Sequence, residues 1–465
     1  MNIISKRIIK VLLLFCIMYL GLILHLSYIE AFKVDEIINN PYNKRLWIKE
    51  DNILRGKILD RNKVILADNY ENVDKTRKYP FGNMYSHIIG YSFKEYGKSG
   101  LEKSFNKVLL GFDKSPIEKV RDTIIGRNNK GNNLILTIDH EIQSYMEKRM
   151  KGKKGAVVAM NPKTGEIYGL VSKPDFNPNE IVENWKAIAN NENSPLLNRA
   201  TQGLYTPGSV FKLVTGTSAL NYDLEPKYFC EGQTTIDGFI LKDYKNIAHK
   251  EVDMRKALTY SCNVAFAQMG LDLGYDKIKK TAEKYMFNKD IHFDIATKNS
   301  VFPIDRQMSK VDLGSLSIGQ GKLLVTPINM AMVTSAIGND GDIMRPYLVK
   351  EITDSKNRII ELTQPKRLAN ATNGYNAKEL TNMMMDVVQF GTGKKAKISG
   401  VKVAGKTGTA QTNSKSHDWF VGFAPADNPK VTVVVVLENE GKGGGVSAAP
   451  IARDILKNAL NVLNE

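Results

Sequence analysis

The chain is poor in the residues that build most metal and redox centres. Its 465 residues include three cysteines and six histidines. Cys16 lies inside an apolar run, which leaves Cys230 and Cys262 for everything downstream. No CxxC pair occurs, and the histidines include no HExxH: after His140-Glu141 come Ile142, Gln143 and Ser144, so no second imidazole follows one helical turn on. A zinc cluster and a thioredoxin-type pair are therefore not expected, and the expectation is no metal and no cofactor. Acidic residues are also short, 49 against 65 Lys+Arg, leaving a formal charge of +16. That surplus requires an anionic partner, whether nucleic acid, phospholipid head groups, or a phosphorylated substrate or polymer. With 42% hydrophobic and 25% charged residues, and no internal repeat, the composition is globular and excludes disorder, collagen and small disulfide scaffolds. The length allows two to four folded units at roughly 100 to 200 residues each.

Long apolar runs are absent except at the N-terminus. From Val11 to Leu24 (VLLLFCIMYLGLIL) no charge interrupts the chain. With Ile8, Ile9, Leu26 and Ile29 the stretch reaches about 20 residues, or roughly 30 Å as a helix, enough to span a bilayer. Lys6, Arg7 and Lys10 precede it, and Glu30 and Asp35 follow. The positive-inside rule then predicts a cytoplasmic tail over 1–7, a transmembrane anchor over 8–29 and export of the remainder, a single-pass protein of the cell membrane with its large part extracytoplasmic. A cleaved signal peptide is disfavoured by the bulky Leu26-Ser27-Tyr28-Ile29-Glu30, and lipid attachment by Phe15 before Cys16. Export changes the meaning of the charge: a basic exterior domain meets lipid and wall polymer, and no nucleic-acid partner is expected.

Residues 30–130 read as short β-like runs broken by turns such as Leu59-Asp60-Arg61-Asn62 and Tyr79-Pro80-Phe81-Gly82. The polar segment from Gly126 to Asn133 is the predicted boundary, giving a first domain over 30–130 and a second over 131–465. In the second, LILTIDHEIQSYMEKRM has helical spacing with Asp139 as N-cap. Gly155–Met160 and Glu166–Val171 flank a turn and predict a β-hairpin. Gly400–Gln411, Asp418–Ala424 and Val431–Leu437 predict three strands, and Pro450–Leu463 a closing helix. Strands from both ends with helical material between them predict an α+β class, one antiparallel sheet covered by helices.

Three short motifs follow in order: Ser209-Val210-Phe211-Lys212, Ser261-Cys262-Asn263 and Lys406-Thr407-Gly408. Thr206-Pro207-Gly208 breaks the chain before an apolar helical run, which puts Ser209 near a helix N-terminus, and residues i and i+3 share a helix face. A desolvated Lys212 can then take the Ser209 proton, making a nucleophile pair. The competing reading of such a string is an N-cap serine and a solvated lysine, and the other two motifs weigh against it. Thr407 lies in an apparent strand with Gly405 and Gly408, where another backbone can approach closely.

Two look-alikes fail on context. Gly400 to Thr407 matches GxxxxGK[ST] letter for letter, but its middle is strand-like and no helical periodicity follows. His417-Asp418 cannot act as base and orienter, because neighbours on a strand point to opposite faces. Gly441–Gly445 reads as a flexible loop before the last helix rather than an anion cradle.

The order of the three motifs resembles the penicillin-binding proteins and serine β-lactamases. Arg55-Gly56-Lys57-Ile58-Leu59-Asp60-Arg61-Asn62, Ser99-Gly100-Leu101-Glu102, Leu136-Thr137-Ile138-Asp139, Thr206-Pro207-Gly208-Ser209, Gly319-Gln320-Gly321 and Asp418-Trp419-Phe420-Val421-Gly422 resemble class B penicillin-binding proteins over most of the chain from about residue 50. The resemblance implies a β-rich pedestal of the dimerisation type over 30–130, with Arg55, Asp60, Arg61 and Glu102 as fold-holding charges, followed by a transpeptidase domain. It implies Ser209 as the acylated nucleophile, Lys212 as its base, Ser261 as proton relay and Asn263 as a hydrogen-bonding partner. Lys406, Thr407, Gly408 and Thr409 would bind substrate, the first two at the donor carboxylate, with the backbone N–H groups of Ser209 and Thr409 as oxyanion hole. Cys262 would be a buried, inert thiol. The implied activity is peptidoglycan D,D-transpeptidation in bacterial cell-wall and cell-shape synthesis, inhibited by β-lactams. Its partners would be stem peptides, lipid-linked precursor and a membrane glycosyltransferase. A D,D-carboxypeptidase or β-lactamase, a β-lactam sensor and a non-catalytic scaffold are the alternatives.

Overall fold

The structure, a computed structural model, describes residues 3–33, 53–69, 76–112, 130–305, 307–412 and 414–464. The first half of the expected boundary, 126–129, lies outside the described residues. Helix α1 (Ile3–Tyr28) runs without Pro and ends in a π-helical turn, Ile29–Lys33. Within Arg7–Lys33 an 18-residue stretch reaches a mean hydropathy of 2.4 and is wholly unburied. Among the described residues it is the one helix long and apolar enough to cross a membrane. A helix suits that solvent because every interior backbone group is paired within the segment.

A five-stranded sheet consists of β1 (Gly155–Met160), β2 (Ile167–Lys173), β3 (Ala404–Ala410), β4 (His417–Ala424) and β5 (Val431–Leu437). Their order is β3-β4-β5-β1-β2, antiparallel throughout, so strands from the two ends of the domain meet at β5–β1. The expected hairpin, three late strands and antiparallel sheet are all present. The third motif's strand begins at Ala404, because Val401 makes only an isolated bridge to Ile398.

Every residue of β5 is buried, which explains an apolar sequence interrupted only by Thr432. Alternation still sorts its side chains. Val433, Val435 and Leu437 join one core with Ile142 and Met146 of α2 (His140–Arg149) and Ile455 and Leu456 of the C-terminal helix, Ala448–Val462. Val434 and Val436 join the other, with the helix Pro327–Ile337, buried along its whole length. Each such side chain contributes about 1.5–3 kcal/mol. Asp139 caps α2 by accepting from the N–H groups of Glu141 and Ile142, as its sequence position predicts.

A second sheet ties the N-terminal region to this domain. The short strands Ile58–Leu59, Ile65–Asn69 and Arg77–Lys78 continue through Asn133–Leu136 to Val349–Thr353 and Ile359–Leu362. The stretch just past the compositional boundary is thus a strand of the pedestal's own sheet. Asp60 accepts from the N–H groups of Asn62, Val64 and His140, fixing the turn against the start of α2. Glu102 is fully buried between Arg55 (Nε to Oε2, 2.5 Å) and Arg77 (Nε to Oε1, 2.7 Å). Burial alone would raise the Glu102 carboxyl; the two guanidinium charges override it and hold the group below the usual carboxylate range. Glu102→Gln leaves two buried guanidinium groups without their countercharge. It is expected to destabilise the pedestal by about 3–5 kcal/mol, read as a lower denaturant midpoint; an unchanged midpoint would contradict this account.

Candidate active site

Ser209 sits in the 3-10 turn Gly208–Phe211 that opens helix α3 (Lys212–Asn221). The turn is held on both sides. Gly208 N donates to Gly319 O at 2.9 Å, and Trp419 Nε1 of β4 donates to Thr206 O at 3.2 Å. Gly408 of β3 faces the turn so closely that a Cβ there would lie 2.9 Å from Pro207 O and 3.0 Å from Val210 Cγ1. Glycine at 408 is what lets the third motif's strand lie against the first motif's serine.

Lys212 is fully buried one helical turn after Ser209. Its Nζ donates to Ser261 O (2.6 Å), Asn263 Oδ1 (2.8 Å) and Ser261 Oγ (3.3 Å), and stands 5.3 Å from the centre of the Phe266 ring. Those three bonds take up the three hydrogens of an ammonium group. The side chain that Ser209 was expected to meet directly is therefore engaged with the second motif, and no Lys212–Ser209 hydrogen bond occurs among the described residues. A lone pair becomes free for the Ser209 proton only once Lys212 is neutral. Burial pulls Lys212 down to about 8, against the opposing pull of the Asp243 and Cys262 charges.

The second motif is a corner between two helices, α4 (Met254–Tyr260) and α5 (Asn263–Leu273). Ser261 caps α4 in the left-handed region, φ 61°, an uncommon conformation for a residue with a side chain. Its Oγ also accepts from Lys406 Nζ at 2.8 Å. Lys406, which the resemblance assigns to the substrate carboxylate, is fully buried and spends its remaining named bond on Thr407 O at 2.9 Å. Burial, then the neighbouring Lys212 charge, hold Lys406 well below its usual range. The two lysines thus converge on one serine hydroxyl.

Strand β3 is an edge of its sheet, paired with β4 on one side and with no strand on the other, and an unpaired edge is where an extended ligand can add as a further strand. Thr407 and Thr409 share one face of it. Thr407 Oγ1 bonds Thr392 Oγ1 at 2.7 Å, and Thr409 Oγ1 accepts from Gly444 N at 3.3 Å. The glycine loop expected to be flexible is instead wedged in place. A Cβ on Gly444 would lie 2.1 Å from Trp419 O and 2.4 Å from Gly408 O. Asp418 anchors the same loop, accepting from Ser447 Oγ (2.6 Å) and Lys442 N (3.1 Å). His417 faces elsewhere, its Nδ1 accepting from Asn439 N, as strand alternation requires. The phosphate-loop look-alike is the edge strand itself, running into a hairpin rather than a helix.

Several residues of the site carry no motif. Asp243 accepts from Asn263 N and from the Cys262 thiol (3.1 Å); Phe266 underlies Lys212; Thr392 meets Thr407. Each is brought in by tertiary packing, so spacing in the sequence offers no signal for it. Cys262 is buried, and burial together with the Asp243 carboxylate pushes its thiol up, away from reactivity as a free nucleophile.

Residues 155–457 match the penicillin binding protein transpeptidase domain family, and residues 55–134 the penicillin binding protein A dimerisation domain. The chain belongs to the penicillin-binding protein transpeptidase family. Among its relatives, the peptidoglycan D,D-transpeptidase PbpA of Mycolicibacterium smegmatis is 31% identical over 93% of this chain and 94% of its own. Stage V sporulation protein D of Bacillus subtilis is 30% identical over 87% of this chain and 66% of its own. The ceftriaxone acyl-enzyme complex of penicillin-binding protein A from M. tuberculosis superimposes with a TM-score of 0.84 at 30% identity, over 89% of this chain and 100% of that one. For the D,D-transpeptidase domain of a peptidoglycan glycosyltransferase from Eggerthella lenta the TM-score is 0.81 at 34% identity, over 89% and 99%.

Proposed function

We propose that the protein is a membrane-anchored peptidoglycan D,D-transpeptidase that works through an acyl-enzyme on Ser209. Neutral Lys212 takes the Ser209 proton as Oγ attacks the carbonyl carbon of a D-Ala-D-Ala terminus. The oxyanion forms against the backbone N–H groups of Ser209 and Thr409. Lys212 passes the proton through Ser261 Oγ to the departing amine, so D-alanine leaves and an ester remains. An amine of a second stem peptide then attacks the ester, loses its proton back along the same relay, and restores the Ser209 hydroxyl. A β-lactam enters the same way, but its opened ring stays attached and blocks the acceptor.

Thr407 and Thr409 would hydrogen-bond the donor carboxylate from the edge strand. Lys406, behind them, would supply positive charge and hold Ser261 in the relay. Asn263 would fix Lys212 and meet the substrate amide. The observation that carries the reading is the convergence of two buried lysines on Ser261 Oγ beside the Ser209 turn. Helix α1 would hold residues 1–7 in the cytoplasm and the catalytic domain outside. The basic exterior would face anionic lipid and wall polymer, and a membrane glycosyltransferase would supply the glycan strands.

The pH dependence follows from Lys212. The reactive form needs the amine neutral, and its titration near 8 leaves roughly a tenth of molecules in that form one pH unit below. Acylation by a fluorescent penicillin should therefore quicken nearly tenfold per unit as pH rises toward about 8, then level off. Stopped-flow labelling at saturating protein stability checks this, and a rate independent of pH below 8 would contradict the role of Lys212.

A further inference from the structure

We propose that Glu438, with Tyr205 and Arg199, is a positioning unit for the reaction: it fixes the turn carrying Ser209 against the sheet, so that the two donors of the oxyanion hole keep their spacing. The inference rests on the proposed acyl-enzyme function. Those donors, the N–H groups of Ser209 and Thr409, belong to different elements, the turn Gly208–Phe211 and the strand β3. Neither element alone sets the distance between them. What holds the turn to the sheet sets it, and a shift of about 1 Å in such a pair can cost on the order of 10²-fold in rate.

One tie is Trp419 of β4, whose Nε1 donates to Thr206 O. Tyr205 makes another. It stands four residues before Ser209, its backbone exchanges hydrogen bonds of 2.9 and 2.8 Å with Val325, and its hydroxyl donates to Glu438 Oε1 at 2.6 Å. Glu438 directly follows the last residue of β5, so this bond joins the turn to the middle of the sheet. The Tyr205 ring has little room to swing. It meets the rings of His417 and Trp419 edge to face, with centres 5.5 and 5.9 Å away. A Cβ on Gly203 would lie 2.6 Å from Tyr205 Cε2 and 2.8 Å from its hydroxyl oxygen.

Glu438 is held as firmly. Its N–H donates to Lys154 O at 2.7 Å, Arg199 Nε donates to Oε1 at 2.8 Å, and Lys154 Nζ stands 3.3 Å from Oε2. Arg199 spends its other nitrogens on Ser194 O (3.0 Å) and Asn193 O (2.6 Å), and its backbone N–H donates to Ser172 Oγ of β2 at 2.9 Å. The Arg199 and Glu438 side chains are 3% and 11% exposed, where charge-assisted bonds are stronger than in water. Burial alone would raise the Glu438 carboxyl; the Tyr205 hydroxyl and the charges of Arg199 and Lys154 override it and hold the group below the usual carboxylate range. Burial, then the Glu438 charge, push Tyr205 well above its own range. Glu438 therefore stays an acceptor and Tyr205 a donor throughout the range in which Lys212 titrates. The unit moves no proton of the reaction and acts only through the backbone from Tyr205 to Ser209.

The test is acylation of the full-length protein in detergent by a fluorescent penicillin, resolved by stopped flow into a binding step and an acylation step across pH. Tyr205→Phe keeps the ring and removes one oxygen. Its acylation step should slow about tenfold while binding changes by less than about twofold. The rise in rate should keep its midpoint near 8, because Lys212 is untouched. In infrared difference spectra the ester carbonyl of the acyl-enzyme should move to higher wavenumber as its two donors loosen. Glu438→Gln should cost more, and the double variant no more than Glu438→Gln alone. If Glu438→Gln, which strands the buried Arg199, does not fold, Tyr205→Phe decides by itself. Asp454→Asn, which removes the ion pair to Arg149 elsewhere in the domain, should leave the acylation step and the carbonyl band as in wild type. The proposal is overturned if Tyr205→Phe acylates at the wild-type rate, if its loss lies in binding or in a shifted pH midpoint with the carbonyl band unmoved, or if Asp454→Asn slows acylation equally. Wild-type protein that takes up no penicillin would overturn the acyl-enzyme reading itself, and this inference with it.

Discussion

Ser209→Ala reduces cross-linking of lipid-linked precursor, supplied with a glycan polymerase, by at least about 10⁴-fold, and takes up no fluorescent penicillin. The reason is that no other hydroxyl can replace it. Ser261 Oγ is committed to Lys406 and lies within reach of Lys212, as an intermediary between amines. Thr407 and Thr409 hydroxyls bond Thr392 and Gly444 on the edge strand. The substitution removes one half-exposed oxygen from a turn fixed by Gly319 and Trp419, so the fold is expected to stay intact. Product that is hydrolysed but never cross-linked by the wild-type protein would indicate a carboxypeptidase instead.

Lys212→Met should slow penicillin acylation by about 10²–10⁴-fold while still allowing it to reach completion, because the nucleophile remains and only its base is lost. That contrast with Ser209→Ala separates the two roles. Methionine preserves the buried volume against Phe266 but donates nothing, leaving Ser261 O and Asn263 Oδ1 without their partner. A stability loss of about 1–3 kcal/mol is expected from those unpaired acceptors. The rise in rate toward pH 8 should also vanish, since the group that titrates there is gone. A variant that kept both the wild-type rate and the wild-type profile would show that another base serves Ser209, with Lys406 the next nearest amine on the relay.

What could be read from the chain divides along a physical line. Periodicity and capping revealed α2, the β1–β2 hairpin and the late strands, because those features are written into consecutive residues: Asp139 before its helix, the run of valines in β5, glycines in β3. The first and third motifs could be placed near a helix start and in a strand for the same reason, whereas the corner that carries Ser261 and the edge position of β3 came only with the fold. Contacts between distant segments could not be read this way. Nothing near Lys406 in sequence says that its amine turns inward to Ser261 rather than outward to solvent. Gly441–Gly445 looks like a flexible tract until Gly444 is found against the backbone of Gly408 and Trp419. Arg77 completes the Glu102 cluster without any local pattern, and the strand Asn133–Leu136 joins the pedestal's sheet across the compositional boundary. The grouping of Cys230, Asp243, His249 and Cys262 is the extreme case, since these residues stand far apart in the chain and only the fold brings their donor atoms within 4.8 Å of one another.

The most direct test of the account is to locate the covalent adduct. The full-length protein would be incubated with benzylpenicillin, digested, and its peptides mapped by mass spectrometry, with Lys212→Met followed in parallel over time. The account predicts one penicilloyl group per chain, on the peptide carrying Ser209, formed slowly in Lys212→Met and never in Ser209→Ala. An adduct on Ser261, on either buried cysteine, or on no residue at all would contradict it.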